Sequence, residues 1–200
     1  MKIVQLCLMA MGLMVFSCIR PSEMADEPKG EHQEWSVANA SKANTKYSSL
    51  DQITRENVHR LEIAWEYHTG DSGHTIECNP IIIGNILYAT SPSVNAFALE
   101  ASTGKELWTF DPYQYESHAD RLTGSWAVNR GVTYWEEGDE ETIFFGAGPY
   151  LYALDARTGK PRQNFGKRGR IDLLQGLDRE IINGQISATS PGIIYKKLII

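Results

Sequence analysis
Residues 97–105 read FALEASTGK and residues 152–160 read YALDARTGK, and the two align without a gap, Gly104 falling on Gly159 at an offset of 55 residues. The hairpin pattern that starts at Pro80 recurs at Pro191, an offset of 111, about two periods. A unit of this length built from short apolar strands cannot bury its own apolar face. It must stack on the next copy, which restricts the chain to a repeat architecture. The expected fold is all-β: a β-propeller, of which roughly the first three blades are present.

Within each copy the residues assign themselves to elements. Residues 80–83, a Gly84-Asn85 turn and residues 86–90 read as one hairpin. Residues 94–99 make the next strand, residues 101–105 a turn, and residues 106–110 a fourth strand. The second copy repeats strand, strand and turn over residues 142–145, 151–155 and 156–160. Gly104 and Gly159 supply the positive φ of a tight turn. Glu100 and Asp155 are placed to accept hydrogen bonds in those turns, and small Ala98 and Ala153 admit a neighbouring blade. Trp108 offers a flat face for packing between blades, and the second copy has no matching Trp. Upstream, Thr54 predicts the N-cap of a helical turn over residues 54–61, and the alternation of residues 61–67 predicts a strand ending at Thr69-Gly70.

The first 34 residues have another character. Met1-Lys2 precedes an uncharged run over residues 3–16, shorter than the ~20 apolar residues a membrane-spanning helix needs. It ends in Val15-Phe16-Ser17-Cys18, so residues 1–17 read as an export signal. The small residue before Cys18 resembles a bacterial lipobox, which implies cleavage there and lipid attachment to the Cys18 sulfur. The alternative is an ordinary signal peptide with an incidental cysteine. In both cases the protein is exported, and with the lipid it is anchored to a bacterial membrane facing the periplasm or cell surface. Residues 18–34 carry charges, Pro21, Pro28 and Gly30 without apolar periodicity and form a flexible tether; residues 35–200 form the propeller part.

Composition excludes several classes. A net charge of −6 argues against a nucleic-acid partner. With Cys7 and Cys18 in the leader, Cys78 stands alone, which supports neither a disulfide framework nor a zinc site. The five histidines, His32, His59, His68, His74 and His118, share no ligand spacing. Gly146-Ala147-Gly148 precedes Pro149 and no helical pattern, so it is a strand turn; residues 136–141 are an acidic hairpin tip and residues 167–170 a basic surface loop. Three blades, and an apolar end at Leu198-Ile199-Ile200, predict a truncated reading frame.

Residues 47–58 (YSSLDQITRENV), Leu61, Ala64-Trp65 and Thr69-Gly70-Asp71 resemble the entry segment of dehydrogenases that depend on pyrroloquinoline quinone (PQQ), and within these the quinoprotein glucose dehydrogenase branch. Residues 129–135 (NRGVTYW) resemble that family's Arg-Gly-Val-x-Tyr motif, and residues 151–160, Phe165-Gly166 and Thr189-Ser190-Pro191 continue the likeness. The resemblance implies an eight-bladed propeller when complete, and a PQQ site in which Glu77 hydrogen-bonds the quinone while Arg130 and Thr189 hold a carboxylate. Arg suits that role on chemical grounds, because its planar fork matches a carboxylate. The implied reaction is oxidation of a sugar or alcohol by hydride transfer to PQQ, with calcium as a Lewis acid and a quinone or cytochrome c as electron acceptor. The calcium ligands and the catalytic Asp are expected beyond Ile200.

Two departures accompany the likeness. Related alcohol dehydrogenases carry adjacent cysteines where this chain has Gly124-Ser125. Glucose-oxidising relatives often have a histidine where it has Trp126, which leaves glucose open as the substrate. The alternative function is a non-catalytic propeller lipoprotein that acts as an outer-membrane assembly scaffold, which would need neither the entry segment nor the Arg130 motif.

Overall fold
The computed structural model describes residues 35–41, 43–71, 75–115, 128–178 and 186–200. Residues 1–34, where the export signal, Cys18 and the tether were expected, and Gly124, Ser125 and Trp126 lie outside the described residues. Strands β1 (Ile81–Ile83), β2 (Ile86–Thr90), β3 (Ala96–Glu100) and β4 (Glu106–Phe110) form a four-stranded antiparallel sheet in sequence order. After a short helix α1 (Pro112–Tyr115), strands β5 (Thr133–Glu137), β6 (Glu140–Ala147), β7 (Tyr150–Asp155) and β8 (Arg170–Asp172) form a second sheet of the same design. Strands β9 (Ile194–Tyr195) and β10 (Leu198–Ile199) pair as a hairpin that opens a third unit. Among the described residues this amounts to two blades and the start of a third, where roughly three were expected.

Alternation along the strands gives each face of the first blade its own partner. Tyr88, Ala96, Ala98, Trp108 and Phe110 point into one buried cluster with Ile143, Phe145, Tyr152 and Leu154 of the second blade. The interleaved Ala89, Phe97 and Leu99 point the other way, where Trp65, Tyr67 and Cys78 cover them. A sheet buried on both faces is how stacked blades exclude water without a separate core. Ala98 and Ala153, at 0% and 1% exposure, leave the room that this stacking needs.

The turns form the joints between units. Gly104 and Gly159 have φ of 72° and 69°, and a second constraint accompanies the conformation. The Trp108 indole lies against Gly159 while its Nε1 donates to the Ala156 carbonyl at 2.8 Å. Trp65 lies in the same way against Gly104, donating to the Ala101 carbonyl at 3.1 Å. The counterpart of Trp108 thus stands upstream of it. Within the turns, the Thr158 amide donates to Asp155 at 2.9 Å and the Thr103 hydroxyl to Glu100.

Several expectations need correction. Residues 61–67 are extended but carry no ladder, because no strand among the described residues runs beside them. Trp65 and Tyr67 pack on the first blade, whereas Leu61 and Ile63 stay 60% and 78% exposed. The helical turn shrinks to a single 3-10 turn over Val58–Arg60, with Asn57 and not Thr54 at its N-cap. Thr54 opens the preceding turn: its carbonyl accepts from the Val58 amide and its hydroxyl from the Glu56 amide. The stretch read as a basic surface loop is one only in part, since Arg170 begins β8 and is 8% exposed. Its guanidinium lies 3.9 Å over the Tyr150 ring and donates to the Tyr152 hydroxyl, so two aromatic rings replace lost water. The acidic tip is pinned by Lys197 of the third unit, whose Nζ is 2.5 Å from Glu137.

Candidate functional site
Hairpin connections put the two ends of each blade to different use. The β1–β2 and β3–β4 turns lie at one end; the starts of β1, β5 and β9 lie at the other. At this second end the chain segments leading into three successive units run side by side. The Asn79 amide donates to the Arg130 carbonyl at 3.0 Å, and the Arg130 amide donates to the Thr189 carbonyl at 2.7 Å. The backbone therefore assembles residues 77–79, 129–131 and 189–191 before any side chain is considered.

The side chains follow. One Arg130 Nη donates to the Thr189 hydroxyl at 3.0 Å, and the other lies 3.2 Å from a Glu77 carboxylate oxygen. All three residues singled out from the sequence are brought into one cluster, although 53 residues separate Glu77 from Arg130 and 59 separate Arg130 from Thr189. The Arg130 and Glu77 side chains are 49% and 39% exposed. An ion pair that open contributes at most ~1 kcal/mol to folding, so stability does not account for it. Arg130 also lines a cleft of about 930 Å³ together with Asn79, Thr133, Tyr134 and Pro191.

The footing of this half-open cation is buried. Asn129 and Gly131, on either side, are nearly inaccessible. Gly131 adopts φ 148°, and a Cβ there would come within 3.1 Å of the Asn79 carbonyl oxygen. Gly146 of β6 has no space for a side chain, because the Ala188 carbonyl occupies it. That contact seats the Thr189 segment. Asn129 carries no role in the sequence reading; its place at the head of residues 129–135, directly before Arg130, is the one signal that could have found it. Beside Glu77, Cys78 is a free thiol whose pKa is pushed up by burial, and its sulfur accepts from the Thr90 amide. Among the described residues no group of three or more His, Cys, Asp or Glu side chains is placed to hold a metal ion.

Residues 35–200 match the family described as "PQQ: Glucose/ethanol/alcohol dehydrogenase, beta-propeller domain". The chain belongs to this family. It is 39% identical over 132 residues to the dehydrogenase subunit of the quinone alcohol dehydrogenase of Gluconobacter oxydans, a match covering 66% of this chain and 17% of that protein. It is 32% identical over 199 residues to the quinoprotein glucose dehydrogenase of the same organism, covering 88% and 24%. Among solved structures, the quinohemoprotein alcohol dehydrogenase of Comamonas testosteroni superposes with a TM-score of 0.67 at 29% identity, over 84% of this chain and 23% of that one. The chain thus spans roughly a fifth of the length of such PQQ dehydrogenases, and its two sheets and hairpin are propeller blades.

The donor set fits the family's cofactor. PQQ is a planar dione bearing carboxylates, and a guanidinium with a hydroxyl 3.0 Å away offers a carboxylate a planar fork and a further donor. The guanidinium is flanked by the buried Asn129 and Gly131 and lines the cleft.

Proposed function
We propose that this chain supplies part of the PQQ site of a dehydrogenase that oxidises a sugar or an alcohol. The observation that carries the reading is the convergence of Arg130 on Thr189 and Glu77 at the ends of three successive units. PQQ, when bound, supplies the two-electron oxidant. Arg130 neutralises and orients one of its carboxylates, Thr189 donates a further hydrogen bond to the same group, and Glu77 hydrogen-bonds the ring edge. Rigid placement of these groups lowers the entropic cost of binding. No residue of this chain is assigned the proton abstraction or the ligation of calcium, which would act beside PQQ as a Lewis acid.

The electron acceptor in this reading is a quinone or a cytochrome c, the kinds for which relatives are named; one is the 1-butanol dehydrogenase (cytochrome c) of Thauera butanivorans. The protein would work outside the cytoplasm, anchored through lipid on Cys18. The decisive experiment is a PQQ titration of the protein expressed from its complete gene, with calcium present, followed by bound-quinone absorbance. Deleting one partner of a desolvated charge pair costs ~2–5 kcal/mol, roughly 30- to 5,000-fold in affinity. Arg130→Ala should raise half-saturation by that factor, and equal half-saturation for the two proteins would remove Arg130 from the site.

A further inference from the structure
Besides its backbone bonds to Asn79 and Thr189, the segment that carries Arg130 is braced by one buried carboxamide, that of Asn129. Asn129 is 5% exposed, and Thr90, which it meets, is 1% exposed. The Asn129 Nδ2 donates to the Gly146 carbonyl at 2.9 Å, and its Oδ1 accepts from the Gly131 amide at 2.8 Å and from the Thr90 hydroxyl at 3.1 Å. The orientation of the amide is determined: a backbone N–H faces one end and a backbone carbonyl the other, so the reversed carboxamide would oppose donor to donor and acceptor to acceptor. One side chain thereby joins the last residue of β2 in the first blade, β6 in the second, and the peptide that follows Arg130. The Gly146 side of the bond abuts Ala188, next to Thr189. A buried network in which each member is satisfied selects one backbone arrangement over its neighbours.

We infer that Asn129 is a positioning residue for the cofactor site, holding Arg130 at the angle from which it meets a PQQ carboxylate, with Thr90 as its support in the preceding blade. The inference rests on the reading of Arg130 given above. It adds that affinity depends on Asn129 and Thr90 through Arg130, although both are buried and neither touches the cofactor.

The test is a double-mutant cycle read as the Kd for PQQ, measured by quenching of tryptophan fluorescence in the protein expressed from its complete gene. Asn129→Ala, Thr90→Val and Arg130→Ala are compared singly and in pairs, and thermal melting is recorded for each. Loss of the Thr90 hydroxyl should weaken PQQ binding about two- to tenfold and loss of the Asn129 carboxamide about tenfold or more. Both penalties should vanish in the Arg130→Ala background, since there is no longer a guanidinium to aim. A merely structural role would leave them intact there, because general loosening weakens all remaining contacts alike. Persistent, additive penalties, or wild-type affinity in Thr90→Val, would overturn the inference. If Asn129→Ala does not fold, the Thr90→Val cycle decides alone. Failure of the cofactor reading itself has a different signature, an unchanged Kd in Arg130→Ala.

Discussion

Trp108 and Gly159 meet across the seam between the first two blades, where a Cβ on the glycine would lie 2.6 Å from the indole. Trp65 and Gly104 repeat the relationship one blade earlier, at 2.5 Å. Each glycine is required twice, once for its left-handed backbone and once for the ring above it.

Gly159→Ala should therefore cost more than a turn glycine ordinarily does. The left-handed conformation adds ~1–2 kcal/mol for a residue with a side chain, and forcing a methyl into a filled contact adds ~1–3 kcal/mol. Gly138, with φ 60° and nothing within 4 Å, is the control: Gly138→Ala should pay only the first amount. Urea denaturation of the two variants gives the comparison, and equal losses would show that the indole yields.

At position 130 the shape of the cation should matter as well as its charge. Arg130→Lys keeps the charge but loses the fork that reaches Thr189 and Glu77 together, so it should recover only part of the PQQ affinity lost in Arg130→Ala. Arg168→Ala, on an exposed stretch at the far side of the second blade, should leave PQQ half-saturation at the wild-type value.

Alkaline pH should open the seam between the blades. Burial, aided by the Glu141 and Asp155 carboxylates, pushes the Tyr88 hydroxyl up to about 12, against ~10 in an unfolded chain. The folded state thus holds this proton more tightly. Its contribution is complete below pH ~10 and is lost as pH rises toward 12. Tyr134, stacked 6.4 Å from Tyr88, is shifted the same way by burial and by its hydrogen bond to Glu136. Tyr88→Phe should flatten the fall of the denaturation midpoint between pH 10 and 12.

Cys18 yields a prediction that needs no cofactor. Expressed in a bacterium with an outer membrane, the precursor should incorporate labelled palmitate, and Cys18→Ala should abolish incorporation. Label retained by the variant would put the lipid on another group and overturn the lipobox reading of Cys18.

Local features were legible in the residues and distant ones were not. The hairpins over Ile81–Thr90 and Ile194–Ile199 depend on neighbours a few positions apart, so period-two alternation and turn residues suffice to place them. Glu77, Arg130 and Thr189 were legible only through the resemblance to PQQ dehydrogenases; their meeting has a local cause, since each stands just ahead of a repeated unit and backbone bonds join those segments. The role of Trp65 was hidden, since its acceptor Ala101 lies 36 residues away. Asn129 was hidden likewise, with partners 39 and 17 residues distant. Strand β8 was missed because residues 161–169 intervene without alternation, and its leading Arg170 looks like a surface charge until Tyr150 and Tyr152 are seen beneath it. Residues 61–67 show the reverse case: alternation alone describes an extended segment, and a ladder also needs a neighbour.

The tryptophan–glycine joints have a geometric consequence. A propeller closes only when the rotations between successive blades add up to one full turn, so an angular error at one joint is handed on to every blade after it. An indole and a bare backbone have almost no freedom to compensate, which makes each pair a machined tolerance of the ring. A substitution at Gly104 or Gly159 that cost little locally would still displace the far side of the circle, moving groups with which it shares no contact.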